Sequence, residues 1–414
     1  MVKNIEPLLI KTSVAATALR NCSNGQIRKV LLSLAEVLLE NKAAILKANA
    51  KDMANMEKDN PHNDRLLLTE QRIVAIANSI KNISKLPNPA DKNLVQRKLK
   101  NGLLLQKQTV PLGVVAAIYE SRPNVTFDIA ALCLRSQNGC VLKGSKEALH
   151  TNKMAVSLIK QAYKMHGLPT DCLLLLPVER EAVEQLFTAI KWVDVIIPRG
   201  SDSLIQFVRK NSLVPVIETG AGVCHVYVEK KADIGKAVNI VVNAKTSRPS
   251  VCNAVDTIIV DEAIALKFLS ALQPHFIKHG VHIFADAKAY PLLKGYSLLH
   301  KASKEDFGKE FLSLQCAIKV VDNIEEALRH IAQYSTRHSE AIVSENKKQC
   351  ERFLKEVDAA AVYANASTRF TDGEEFGLGA EVGISTQKLH ARGPFALEKL
   401  VTEKWVIRGT GQVR

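Results

Sequence analysis

Cys252 is the residue best placed to do chemistry. It closes the stretch Asn243-Ala-Lys-Thr-Ser-Arg-Pro-Ser-Val-Cys252-Asn253, just past a polar loop that carries Arg248 and Pro249. Only the thiolate of a cysteine reacts, and cationic or hydrogen-bonding neighbours favour it, so a thiol in this setting has the makings of a nucleophile. The same residue also reads as a small core thiol. Others among the eight cysteines do read that way, such as Cys133 in Ala-Ala-Leu-Cys-Leu and Cys172 before four leucines. No pair is spaced C-x-x-C, which removes the usual zinc-finger and thioredoxin-like readings, and no metal is expected.

Four further groups fall where apolar runs end. Lys143-Gly-Ser-Lys146 follows a run ending at Leu142, and Pro198-Arg199-Gly200-Ser201 follows another and opens a helix. Free backbone N–H groups at such a helix start, with the Ser201 hydroxyl, suit a phosphate. Glu218-Thr-Gly220 and Glu120-Ser-Arg122-Pro-Asn124 end two more runs. Asn124 reads either as a plain N-cap for a helix at 126 or as an oxyanion donor. Each group alone is an ordinary turn between strand and helix, but together, on one sheet, they point to a shared ligand. No standard nucleotide motif is complete. Gly377-Leu-Gly379-Ala-Glu-Val-Gly383 is one residue off the dinucleotide fingerprint, and neither a P-loop nor G-x-S-x-G occurs.

The elements that must hold these residues are readable too. A chain of 414 residues with 47% hydrophobic and 24% charged residues implies two or more globular domains. Residues 12–56 and 64–86 carry helical spacing. Asn101-Gly102 between Leu94–Leu99 and Leu103–Val110 is a strong hairpin signal, and a lone ribbon of this kind needs something to pack on. Apolar runs at 114–119, 140–142, 173–177, 194–197 and 214–217 alternate with helical segments near 126–136, 149–165, 180–190 and 201–210. This predicts right-handed βαβ units and a parallel sheet. A second α/β pattern has strands near 225–228, 256–260, 281–284, 317–321, 340–343 and 361–364. Residues 366–394 read as site-forming loops, and 404–408 as a final strand.

A formal charge of +14 attracts anions, but the basic residues are spread out and aromatics make up only 5%. Both facts argue against a stacking surface for single-stranded nucleic acid. No signal-peptide core and no membrane-length apolar run is visible, so the expected location is the cytoplasm, without membrane or nucleic-acid partners.

Seven segments together resemble one family. They are Val110-Pro-Leu-Gly-Val, Tyr119-Glu-Ser-Arg-Pro-Asn-Val-Thr, Pro215-Val-Ile-Glu-Thr-Gly, Asn243-Ala-Lys-Thr, Arg248-Pro-Ser-Val-Cys-Asn, Phe376-Gly-Leu-Gly-Ala-Glu-Val-Gly-Ile-Ser-Thr and Leu389-His-Ala-Arg-Gly-Pro. The family is that of the γ-glutamyl phosphate reductases, within the aldehyde dehydrogenase superfamily. The resemblance implies an aldehyde dehydrogenase-like α/β fold. A Rossmann-like cofactor domain would span 1–93 and 111–221, an α/β catalytic domain 222–390, and a β-hairpin oligomerisation arm 94–110 and 391–414.

It also implies a reaction, the NADPH-dependent reduction of L-glutamyl 5-phosphate to the semialdehyde in proline synthesis. By this resemblance Cys252 is the nucleophile, Asn124 the oxyanion donor, and Glu218 the counterpart of the glutamate that activates water in hydrolytic relatives. Lys143, Arg199, Gly200, Ser201 and Glu310 would meet the cofactor NADP(H), and Lys146 would attract its 2′-phosphate. Arg122, Arg248, Ser367, Thr368 and Arg369 are candidates for the acyl phosphate and the amino-acid carboxylate. A homo-oligomer is implied, served by a separate glutamate kinase, since nothing kinase-like precedes the helical start. Two other functions stay open at this stage. One is a hydrolytic or CoA-acylating aldehyde dehydrogenase using the same cysteine, and the other is a basic binding protein without catalysis.

Overall fold

In the computed structural model, residues 4–56 and 63–414 are described; the portions of the expected first domain at 1–3 and 57–62 lie outside the described residues. Contacts divide the chain into two compact units. The first comprises residues 1–219, 377–383 and 395–414, and the second 220–376 and 384–394.

The first unit begins with three helices, Glu6–Leu19, Asn24–Glu40 and Lys42–Ala54. Ser23 caps the second by accepting the Gln26 N–H, and its Ile27, Leu31, Leu34 and Leu38 stripe is fully buried. The predicted helix over 64–86 is instead two. Asn63–Leu66 stops, and Glu70–Lys85 starts afresh because Thr69 is extended and caps it through the Arg72 N–H.

The hairpin forms as predicted, with β1 (Asn93–Lys98) antiparallel to β2 (Leu104–Pro111). Gly102 makes the turn at φ +89°, a conformation that suits a residue without Cβ. On its other side β2 pairs with the C-terminal strand Val401–Arg408 over eight residues. Every residue of β1 is exposed.

A four-stranded parallel sheet follows, in the order β5-β4-β3-β6, formed by β3 (Val114–Tyr119), β4 (Gly139–Gly144), β5 (Leu173–Leu175) and β6 (Val195–Arg199). β3 and β4 are buried along their whole length, which is why they read as unbroken apolar runs. The fifth run, 214–217, makes only one bridge, Val216 to Ile196. Pro215 has no N–H to give a ladder and contributes only its carbonyl, which accepts from the Ile196 N–H.

The second unit holds a seven-stranded parallel sheet of β7 (Cys224–Val228), β8 (Val255–Asp261), β9 (His282–Ala285), β10 (Leu299–Lys301), β11 (Gln315–Val321), β12 (Ser339–Val343) and β13 (Ala361–Ala364). Their order is β10-β9-β11-β8-β7-β12-β13. Val226, Ile258, Phe268, Leu269, Phe276 and Ile283 form the centre of its core. Only β10 was not foreseen, and three residues are too few to show a period. Within 366–394, read as loops, the chain also forms a strand at Glu381–Ser385. Its buried Val382 and Ile384 are masked in sequence by the intervening Gly383. No helix among the described residues is long and apolar enough to cross a membrane.

Candidate active site

In the second unit, Cys252 lies between the helix Ile234–Thr246 and β8, in a loop with no regular structure. Six of the eight thiols are buried; only Cys22 and Cys252 are partly accessible. Burial pushes the Cys172 and Cys316 thiols up to about 12 and the Cys140 thiol well above its ordinary value, which keeps them un-ionised.

The loop is held from two sides. From below, the buried Cys224 thiol donates to the Cys252 carbonyl at 3.1 Å. Gly222 presses against that same carbonyl, so a Cβ at position 222 would overlap it. The Gly222 N–H in turn donates to Glu310 Oε1 at 2.8 Å. From the side, Asn253 Nδ2 donates to the Thr371 carbonyl at 2.9 Å, and Thr368 Oγ1 donates to the Asn253 carbonyl at 2.7 Å. The Arg369 guanidinium donates to Asn253 Oδ1 and, at 3.1 Å, to Ser247 Oγ.

Arg369 therefore packs against the cysteine loop, and Arg248 lies within that loop, four residues before Cys252. Burial and the nearby Arg248 charge hold the Arg369 guanidinium below its usual value, while Asp372 and the Cys252 thiol oppose that shift. The unit thus gathers Cys252, Arg248, Thr368 and Arg369 at one loop cluster, with Ser367 capping the 3₁₀ turn Thr368–Phe370 that carries two of them. The Thr368 hydroxyl is engaged with backbone, which makes it a brace of the loop.

The other candidates belong to the first unit, at the carboxyl ends of its strands. Asn124 is not the N-cap but the second residue of the helix Pro123–Arg135, with Arg122 at the cap position and no side-chain cap bond. Its exposed amide donates to Asp128 Oδ2 at 3.2 Å. Burial pushes the Asp128 carboxyl up to about 6, against the opposing pull of Asn124 and Arg199. Glu218 pairs with Arg209 at 3.2 Å.

The Ser201 turn differs from the sequence reading. Ser201 does cap the helix Asp202–Asn211. But the Glu120 carboxylate already accepts from the Ser201 N–H at 2.8 Å and from the Ser201 hydroxyl at 2.9 Å. A helix start with its first donor on a carboxylate is a weaker phosphate cradle than free donors would make. Gly200 is what lets Glu120 approach, since a Cβ there would sit 2.5 Å from Glu120 Oε2.

Beside this turn lies a cavity of about 430 Å³, lined by Ile118, Lys143, Ser145, Arg180, Leu204 and Phe207 among others. Lys143 is almost wholly buried and donates to the Gly144 carbonyl at 3.2 Å. Burial lowers its pKa, while Glu179 and Glu147 act in the other direction. Lys146 is exposed in the following 3₁₀ turn and does not line the cavity, nor do Arg199, Gly200 and Ser201. Arg180 does, and it was missed in sequence. The available signal was its position one residue into the helix that follows β5.

Comparison with known proteins places the chain in a family. The sequence pattern described as "Aldehyde dehydrogenase family" matches residues 5–287. The chain is 50% identical to a γ-glutamyl phosphate reductase of Pelodictyon phaeoclathratiforme, covering all of both chains. It is 51% identical to one of Legionella pneumophila, covering 98% of each. Among solved structures, the γ-glutamyl phosphate reductase of Thermotoga maritima superposes over the full length of both chains with a TM-score of 0.95 at 39% identity. An acetylating aldehyde dehydrogenase from Geobacillus thermoglucosidasius reaches a TM-score of 0.70 at 18% identity over 99% of this chain and 97% of its own, which speaks to the fold alone.

Proposed function

The chain belongs to the aldehyde dehydrogenase family, and we propose that it reduces L-glutamyl 5-phosphate to L-glutamate 5-semialdehyde with release of phosphate. The observation that carries this reading is the Cys252 loop: a partly accessible thiol, clamped through its own carbonyl, with Arg369 packed on the loop and Arg248 within it.

Cys252 attacks the acyl carbon, the carbon–oxygen bond to phosphate breaks, and a thioester forms on the enzyme. The flanking guanidinium of Arg369, with that of Arg248, draws the doubly charged phosphate and favours the thiolate. A bound nicotinamide dinucleotide supplies one hydride. The thioester carbon would become tetrahedral, its oxyanion meeting the Cys252 N–H, and collapse would return the thiolate and free the aldehyde; family resemblance gives Asn124 the role of a further oxyanion donor. Cys224 and Gly222 fix the Cys252 carbonyl, in the peptide that follows the nucleophile. Glu218, paired with Arg209, orients groups instead of activating water, because water would waste the thioester.

The 430 Å³ cavity fits the adenosine end of such a cofactor, having an apolar wall, a lysine and a serine at strand ends. We take NADPH as the cofactor, and the reading includes Lys143 in that site and Glu310 near the nicotinamide ribose. The enzyme would work in the cytoplasm as a homo-oligomer through the hairpin and C-terminal strand, receiving its labile substrate from a separate glutamate kinase. The test is to expose the protein to the acyl phosphate without cofactor and map the adduct by peptide mass spectrometry. Acylation confined to the Cys252 peptide is expected; acylation elsewhere, or none, would remove the nucleophile from the account.

A further inference from the structure

We propose that the Arg180 guanidinium, and not the Lys146 ammonium, receives the 2′-phosphate of the cofactor and sets its preference for the phosphorylated dinucleotide. The inference rests on the reading of the chain as a nicotinamide-dependent reductase and deepens it by naming the residue that reads the extra phosphate.

Three observations place the charge there. First, Arg180 lines the cavity at the ends of β3 and β4, and Lys146 does not. Second, the other cation of that cavity is largely offset. Lys143 is buried, hydrogen-bonded to the Gly144 carbonyl, and faces the Glu147 and Glu179 charges. An ammonium so engaged suits ribose hydroxyls better than a dianion. Third, Arg180 is held in place with donors to spare. Its guanidinium lies 5.7 Å from the centroid of the Phe207 ring, and its Nε meets Glu184 at 3.3 Å on an exposed face. Such an exposed pair is worth little and yields easily to a phosphate. A planar fork resting on an aromatic face keeps its N–H edges for bidentate contact with phosphate oxygens. Leu204, Val183 and Phe207 supply the apolar wall beside it that an adenine ring needs.

The competing site is the Ser201 helix start, which the Glu120 carboxylate already occupies. Glu120 also lines the cavity, so a phosphate at its Ser201 end would meet that carboxylate, whereas at its Arg180 end it would meet a guanidinium.

The test uses fragments, so it does not depend on turnover. Wild type, Arg180→Ala, Arg180→Lys and Lys146→Ala are titrated calorimetrically with adenosine 2′-phosphate and adenosine 5′-phosphate, and circular dichroism checks that each is folded. Losing a charge-assisted hydrogen-bonded contact weakens binding roughly 10- to 100-fold. Arg180→Ala is expected to lose that much for the 2′-phosphate alone, with Arg180→Lys recovering part of it and Lys146→Ala losing less. Equal loss for both fragments, no loss in Arg180→Ala, a larger loss in Lys146→Ala, or no binding of the 2′-phosphate by wild type would overturn the assignment. Acyl-phosphate reduction by wild type is assayed in parallel. If it is absent the functional reading fails by itself, while normal NADPH turnover with an unchanged cofactor preference in Arg180→Ala removes only this inference.

Discussion

The Ser201 turn and the Cys252 loop are built on the same device, a glycine that lets another group come close, and they use it differently. At Gly200 the close neighbour is the end of the Glu120 side chain. At Gly222 it is backbone, the carbonyl of Cys252, the proposed nucleophile. A side-chain tip can rotate away at small cost, but a carbonyl bonded by Cys224, in a loop braced next door through Asn253 and Thr368, cannot. The first turn is therefore adjustable. The second is fixed, as a reacting atom requires.

The largest expected effect is on the fixed side. Cys252→Ala should lower acyl-phosphate reduction by about 10⁴-fold or more with the fold intact by circular dichroism, as for other covalent nucleophiles. Asn124→Ala should lower kcat by roughly 10²–10³-fold, the usual loss for one oxyanion donor, with little change in KM. Gly222→Ala should cost about 10²-fold in kcat by shifting the nucleophile's peptide. The matching Gly200→Ala should cost less than about 10-fold, because Glu120 can swing aside. If the two glycine variants fall equally, the contrast between adjustable and fixed turns is wrong.

A smaller effect concerns stability. Asp128 has its carboxyl raised by burial from 3.8 to about 6 in the folded protein. The folded state then binds that proton more tightly than the unfolded chain, so this contribution is fully present below pH 3.8 and lost as pH rises through about 6. Denaturant melts of Asp128→Asn against wild type across pH 4–7 should show that slope reduced. Smallest of all, Ser201→Ala removes a helix cap and should cost about 1 kcal/mol by the same melts.

The same contrast explains how much was legible beforehand. β3, β4 and most strands of the second unit announced themselves, because parallel strands buried on both faces leave unbroken apolar runs. Lys143, Ser201 and Glu218 stood out because the end of a strand can be read locally. That Ser201 already held Glu120 could not be read, since the partners lie 81 residues apart. The Cys252 loop was located by its own residues and by family likeness, while its braces, Cys224 and Gly222 among them, come from other parts of the fold. Neither carries any local mark: Cys224 begins a buried strand like any core cysteine, and Gly222 follows another glycine two residues earlier. Arg180 was passed over because an arginine at a helix start reads as surface until the cavity beside it is known.

The most direct test of the central claim, that Cys252 passes its acyl group to and from phosphate, runs the reaction backwards. Glutamate 5-semialdehyde and NADP⁺ are supplied with and without inorganic phosphate, and NADPH formation is followed by absorbance. The account predicts turnover only when phosphate is present, saturating with its concentration. Equal turnover in its absence would show that water or another acceptor takes the acyl group, and would contradict it.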